Sequence, residues 1–424
     1  MDLTPIHAPP LMTLCIPRAE AETRVKSAQQ DAQLLIRPAT IEGKRYGLVT
    51  FSVKRTNSLP NSVMPQTMLS KWNGRPLNGA FGALIENANP KQLADPIFGA
   101  EAYQLWTTYN GLLIVEGPDL AFLTPQSLLR WGERFGTVDR NVESSRDFCQ
   151  VGNLPIIRIG NTVDHRGISN AIFSNERLMK TVDDVRYNPE TRTPVWHTDG
   201  TFKPHPPIGS VFHCRQAPTS GGATLFADMC SAFEMLDDSI KEELSGLEAV
   251  CSLAHHDKKI NLSSPSYPTL TPAQRADNPP MRAPLILAHP ISGKPALYGL
   301  NSSTCAIVSK HESITQEKMD IFDLQGIEHE SVATLRNVLP TVTAPDFTIP
   351  WTWAPGGIVV WDNRCTLHAG TGFNAALEQR EMWRLSLTTP EPATSNTSLG
   401  YLPRRRLCPN KPSKFSLHGI IQAA

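Results

Sequence analysis

The chain shows no excess of charge of either sign. Lys and Arg number 40, Asp and Glu 40, over 424 residues, so the formal charge is zero. A neutral chain has no overall pull on nucleic acid or on an anionic membrane. Long apolar runs are also missing, and none approaches the ~20 residues that span a bilayer. The N-terminus (Met1-Asp2-Leu3-Thr4) has no basic region, and its best apolar stretch, 11–16, is too short and mixed for a signal peptide. The eight cysteines form no C-x-x-C pair, which argues against a zinc ribbon or a disulfide scaffold and for a cytoplasmic protein. There is no G-x-x-x-x-G-K-[ST] and no G-x-S-x-G, so P-loop and α/β-hydrolase chemistry lack an anchor. Gly370-Thr-Gly372-Phe-Asn-Ala375 matches a dinucleotide pattern. Loop and strand signals follow it instead of the helix that a pyrophosphate needs. No internal repeat is found.

Proline is abundant, with 36 residues, which suits turns and short strands better than long helices. The hydrophobic content of 40% is enough for a sizeable core. Residues 1–90 read as an N-terminal extension with one strand-like run, Tyr46-Gly-Leu-Val-Thr-Phe-Ser52, and suggest a specialised metabolic enzyme or a contact between copies of the chain. Residues 91–390 carry the main domain. A helix is expected from Asp95-Pro96 to Tyr109 and another after Thr124-Pro125. Strands are expected at 111–116, 155–159, 195–202, 208–213, 223–226, 357–362 and 382–387. Met229, Phe233, Leu236, Ile240, Leu244 and Leu247 have helical spacing, with Ser231 and Glu234 as a capping box. Residues 161–192 are polar and irregular, and 254–345 read as a long insertion between strands. The tail 391–424 is rich in Pro, Ser and Asn, and its Arg404-Arg405-Arg406 is read as solvated. The sum is a mainly β core with flanking helices, a double-sheet jelly roll. A doubly wound α/β fold is the alternative, but regular strand–helix alternation is missing.

Val195-Trp-His-Thr-Asp-Gly-Thr-Phe202 is the informative segment. On a strand, His197 and Asp199 leave the same face. An imidazole beside a carboxylate is two-thirds of the facial set that holds non-haem Fe(II). The pair alone is weak, since His255-His-Asp257 repeats the pattern, and either could be structural. His368 could supply a third ligand, or be an ordinary loop histidine. In Arg380-Glu-Met-Trp-Arg384 the two arginines share one strand face, about 13 Å apart. Facing a sheet interior, each requires an anion. On an edge strand both would be solvated.

Four stretches together resemble the TauD/TfdA family of Fe(II)- and 2-oxoglutarate-dependent dioxygenases. They are Trp196-His-Thr-Asp-Gly-Thr-Phe202, Gly221-Gly-Ala-Thr-Leu-Phe226, Trp361-Asp-Asn-Arg-Cys-Thr-Leu-His368, and Arg380 with Arg384. Gly111-Leu-Leu-Ile-Val-Glu-Gly117 and Arg134-Phe-Gly136 fit the family's N-terminal part, and the likeness covers about 95–390. It implies a double-stranded β-helix of cupin type, with His197, Asp199 and His368 on iron. Thr224 and Arg380 would hold 2-oxoglutarate, Arg380 by its C5 carboxylate, and Arg384 would lie near the co-substrate or an anionic primary substrate. The implied reaction uses O2 to oxidise a small molecule by hydroxylation, desaturation, epoxidation or rearrangement, with release of succinate and CO2. Parts of 161–192 and 254–345 would be lids. Two other readings stay open: a silent jelly-roll ligand binder, and a zinc hydrolase on the same ligands.

Overall fold

A computed structural model describes residues 63–140, 150–163, 196–263, 269–300, 303–315, 317–320 and 333–389, with strands at 12–17, 33–41, 44–52, 187–188 and 193–194. The chain divides into two compact units, Met1–Met64 and Pro65–Ala424. The first holds an antiparallel sheet of β1 (Met12–Pro17), β2 (Gln33–Ile41) and β3 (Lys44–Ser52), with β3 in the middle. The strand expected at 46–52 lies in β3. The C-terminal tail, and most of the loop expected to form a lid, lie outside the described residues.

In the second unit, β4 (Gly74–Asn78) and β5 (Phe81–Ile85) form a hairpin. Both fall inside the stretch that composition assigns to the extension. All five residues of β5 are buried, because β5 lies beside a central strand of the main sheet. The Asp95 side chain accepts from Ile97 N and starts α1 (Pro96–Thr108), as the Asp-Pro pair predicts. Gly111 then turns the chain into β6 (Leu112–Val115). Thr124 caps α2 (Pro125–Gly132) through Ser127 N. The short strands β7 (Thr137–Val138), β8 (Ile157–Gly160), β9 (Tyr187–Asn188) and β10 (Thr193–Pro194) follow.

The sandwich itself uses β11 (Gly209–Gln216) and β12 (Thr224–Asp228). The expected amphipathic helix is two helices, α3 (Met229–Met235) and α4 (Asp238–Ser245). Asp228, not Ser231, caps the first, accepting from Cys230 N and Ser231 N. The apolar spacing still serves one purpose: Met229, Leu236 and Leu244 enter one cluster. Helical spacing fixes a face, but it does not forbid a break between turns. The segment expected as an insertion is folded among its described residues. It contributes α5 (Leu253–Ser263) and α6 (Pro272–Asp277). With β13 (Leu247–Cys251), its strands β14 (Met281–Pro284) and β17 (Thr304–Ser309) form a sheet of order β14-β13-β17, and β15 (Ile286–Ala288) pairs with β16 (Pro295–Leu297). Then come α7 (Ala333–Val342), β18 (Thr348–Trp351), β19 (Ile358–Asp362), β20 (Thr366–Gly370) and β21 (Glu381–Thr388).

The main sheet runs β4-β5-β6-β19-β11-β21-β7, with β8 also on β21, and the second runs β18-β12-β20. Among the described residues only the β5–β6 pair is parallel. Two facing sheets with helices outside match the expected jelly roll. Alternation along the strands shows where each face points. Leu113, Val115, Ile358, Val360, Trp383, Leu385 and Leu387 pack in the cluster that also holds the α1 and α2 residues Phe98, Leu105 and Trp131. Leu112, Ile114, Val359, Trp361 and Met382 pack instead with Phe226 and Ile349 of the second sheet. Strands covered on both faces are apolar throughout, which is why Leu112–Val115 reads as one run.

Gly111 has φ +78°, and an added Cβ would lie 2.5 Å from Asp362 Cβ and 2.7 Å from Cys365 Sγ. Gly111→Ala is expected to cost about 2–4 kcal/mol, from the positive φ and the crowding together. A lowered denaturant midpoint at unchanged slope is the check.

Candidate active site

Inward-facing positions of β20 and β21 meet the segment before β11. In β20, Leu367 and Ala369 point away from the sandwich, into the cluster formed with α3 and the insertion. His368 therefore points inward, opposite Phe226 in the register of β12 and β20. It lies within the strand, so the loop-histidine reading does not hold. His197 is joined to it by a single antiparallel bridge, with His197 N donating to His368 O (3.0 Å) and His368 N to His197 O (2.9 Å). The strand expected at 195–202 is reduced to this bridge. Asp199 and Gly200 form a turn, with Gly200 at φ +63°. Bridge and turn together do what a shared strand face was expected to do.

The His197 and His368 rings lie 4.1 Å apart between centroids. The ligand atoms of His197, Asp199 and His368 all fall within 4.8 Å of one another. The two oxygens of Asp199 differ. Oδ2 accepts from Ser210 Oγ (2.8 Å) and meets Arg384 Nη2 (3.0 Å). Oδ1 faces His368 Nε2 at 3.8 Å. One oxygen is thus anchored and the other stands among the ring nitrogens. Burial would raise the Asp199 pKa. The Arg384 guanidinium, then His368, His197 and the Ser210 hydrogen bond, override it and hold the carboxyl well below the usual range. Burial first, and His197 next, push His368 well below its ordinary pKa, so the imidazole is neutral, the form that binds metals.

Asn363, in the turn between β19 and β20, ties these pieces together. Its carbonyl accepts from Thr198 Oγ1 (2.7 Å), its Nδ2 donates to Pro207 O (3.3 Å), and its Oδ1 accepts from Trp361 Nε1 (3.0 Å). No spacing in the sequence singles out Asn363, Ser210 or the residues that hold Arg380.

Thr224 opens β12 and is buried. Its Oγ1 accepts from Trp353 Nε1 (2.9 Å). An indole N–H only donates, so the threonine hydroxyl keeps its own hydrogen to give elsewhere. Arg380 immediately precedes β21. Burial pulls its pKa down to about 10, which leaves it charged at neutral pH. Its Nε is buried without a partner, and among the described residues no carboxylate pairs with it. β21 is flanked by β11 on one side and by β7 and β8 on the other, so the solvated-edge reading fails. Arg384 is not a free cation either, because its guanidinium sits on Asp199. His256 of the repeated H-x-D region stands with its ring 6.4 Å from that of His197, while His255 and Asp257 are buried and join neither metal cluster.

A second cluster of His289, Asp362 and Cys365 has similar spacing, but its groups are already engaged. Asp362 takes Arg364 Nε (2.8 Å) and His289 Nε2 (2.9 Å). His289 Nδ1 accepts from Ser292 N (3.1 Å), and Cys365 Sγ donates to Asn110 O (3.3 Å). It is a closed structural network.

The first cluster fits a ferrous ion. Two imidazoles and one carboxylate are the donor set for an open-sided non-haem iron site. His368 Nε2 and the remaining Asp199 oxygen face each other at 3.8 Å, with the His197 ring beside them, and no hydrogen bond closes that gap. Arg384→Ala removes the clamp on that carboxylate and is expected to weaken metal affinity by about 10–100-fold, measurable by Fe(II) or Mn(II) titration without oxygen.

Comparison with known proteins identifies the family. The taurine catabolism dioxygenase TauD, TfdA family matches residues 73–386. An (S)-phenoxypropionate/alpha-ketoglutarate-dioxygenase of Sphingobium herbicidovorans is 26% identical over 77% of this chain and 97% of its own. An alpha-ketoglutarate-dependent 2,4-dichlorophenoxyacetate dioxygenase of a Burkholderia species is 31% identical over 45% of this chain and 56% of its own. The fold also matches the crystal structure of AAD-2 in complex with Mn(II) and N-oxalylglycine, with a TM-score of 0.53 and 21% identity over 76% of this chain and 98% of that one. No helix among the described residues is long and apolar enough to cross a membrane. By the span of that family match and the order in which its motifs fall along the chain, this protein is a member of the TauD/TfdA family.

Proposed function

We propose that the chain is an Fe(II)- and 2-oxoglutarate-dependent dioxygenase of small organic molecules, with His197, Asp199 and His368 as iron ligands. One observation carries the reading: a His/Asp/His set lies between the sheets, on the inward side that also carries Arg380, whose Nε is buried and which has no carboxylate partner among the described residues. When bound, iron, 2-oxoglutarate and O2 supply the oxidising power, converting the co-substrate to succinate and CO2 as the substrate is oxidised. The protein's own part is binding and orientation. Asp199 is fixed by Ser210 and Arg384, so one oxygen is left for metal. Arg380 pairs with the distal carboxylate of the co-substrate, and the Thr224 hydroxyl, held from behind by Trp353, donates to it. The dry surroundings of Phe226, Trp361 and Met382 strengthen these contacts and keep water from the reacting groups.

The family match and the named relatives support this activity over a silent binder. A zinc hydrolase would leave Arg380 without a purpose. For the substrate we infer a small organic acid, in line with relatives named for phenoxypropionate and 2,4-dichlorophenoxyacetate. We place the protein in the cytoplasm, a reducing compartment in which the buried thiols of Cys214, Cys230 and Cys365 stay free.

The test is direct. Protein, Fe(II), ascorbate, 2-oxoglutarate and a panel of aryloxyalkanoic acids are incubated in air, and succinate is measured. Succinate that rises with one member of the panel is expected. Absence of both metal uptake and 2-oxoglutarate consumption, or turnover that proceeds with Zn(II) and without O2, would refute the assignment.

A further inference from the structure

Arg380 lies just outside the sheet that carries it. The pairing of β21 with β11 begins at Glu381, after an irregularity between Cys214 and Gln216. The backbone of Arg380 is held instead from the other side, where Gly160 of β8 stands opposite Glu381. Asn161 N donates to Arg380 O (3.0 Å), and Asn161 Oδ1 accepts from Arg380 N (2.7 Å). Both backbone groups of this arginine therefore bond to one residue. The same side chain uses its Nδ2 to hold Glu378 O (2.9 Å) and Ala375 O (3.3 Å), two carbonyls of the loop that leads into Arg380. Gly160 makes the approach feasible: at φ +152°, an added Cβ would fall 1.8 Å from Arg380 O.

We propose that Asn161 is the positioning residue for Arg380, and that it thereby sets how strongly the enzyme prefers 2-oxo diacids to 2-oxo monoacids. This rests on the reading of Arg380 as the partner of the distal carboxylate. The reason is geometric. An arginine already locked in an ion pair would keep its place without a backbone clamp. Arg380 has no carboxylate among the described residues, so before ligand binds its reach is set by where its own backbone stands. A charge-assisted pair depends on placement to within an ångström. The Asn161 side chain fixes the Arg380 backbone and the loop leading into it at once, through one acceptor and two donors.

The test compares two ligands on protein loaded with Mn(II) in the absence of oxygen: 2-oxoglutarate, and pyruvate, which lacks the distal carboxylate. Wild type is expected to prefer the diacid. Asn161→Ala is expected to lose about ten-fold or more in 2-oxoglutarate affinity with pyruvate affinity unchanged, by analogy with other small misplacements of binding groups. Asn161→Asp, which keeps the acceptor for Arg380 N and loses the two donors, should fall between. It carries the test if the alanine variant does not fold. Equal weakening of both ligands, or an unchanged diacid-to-monoacid ratio in folded variants, would overturn the inference. A wild type with no preference for the diacid would overturn the Arg380 assignment itself, and the two failures are thereby told apart.

Discussion

Asp199→Ala is expected to abolish ferrous binding and substrate-dependent succinate formation together. Asp199 is the one anion in a cluster with two imidazoles, and it also answers the Arg384 guanidinium, 3.0 Å from its Oδ2. Without it, two neutral ligands remain beside an uncompensated cation, which repels a divalent ion. The loss is therefore larger than one missing ligand. Asp199→Asn separates the two contributions. It keeps a carbonyl acceptor for Ser210 and the shape of the side chain, but it removes the charge. Metal affinity close to that of wild type in the asparagine variant would show that the carboxylate is not a ligand. Since Arg384 and its neighbours hold the Asp199 pKa below the usual range, the carboxylate keeps its charge on acidification until pH falls through that lowered value. His368 is likewise held neutral well below its ordinary pKa, so neither of these two ligands is expected to release metal under mildly acidic conditions.

Arg380→Met should produce the second large effect, in two opposite directions. Removing a charge-assisted pair with the co-substrate costs about 1.5–3 kcal/mol, equivalent to a rise of about 10–150-fold in the 2-oxoglutarate concentration required. The ligand-free protein should behave differently. There Arg380 is a cation with a buried, unpartnered Nε and no carboxylate among the described residues, and an apolar residue of similar length removes that burden. The variant is expected to melt at or above the wild-type temperature without ligand, while losing the stabilisation that 2-oxoglutarate gives wild type. A clear drop in ligand-free melting temperature would mean that Arg380 has a structural partner. Unaltered 2-oxoglutarate dependence would mean that it does not meet the co-substrate.

Much of the fold was open to reading from local pattern. Asp95-Pro96 and Thr124-Pro125 start helices because their side chains satisfy the first free N–H groups. The run at 112–115 is apolar throughout because both of its faces are covered. Local pattern misled where a tertiary contact competed with it. The spacing from Met229 to Leu247 is continuous, yet the chain breaks after Met235 and Leu247 joins a strand. Residues 81–85 looked like part of a polar extension, but their neighbours in space are β4 and β6 of the main sheet.

The site divides in the same way. Short motifs and their order along the chain were sufficient to identify His197, Asp199, His368, Thr224 and Arg380 as candidates, because ligand type and near-neighbour spacing are written in one dimension. Folding alone decided what each of them touches. Arg384, expected near the co-substrate or an anionic primary substrate, grips a candidate metal ligand. Thr224 is turned by a tryptophan 129 residues away, and Arg380 is held by an asparagine 219 residues away. Side-chain periodicity records which way a residue faces. It carries nothing about which distant strand will stand opposite, since that depends on the register between sheets and on the few polar groups that cannot be buried alone.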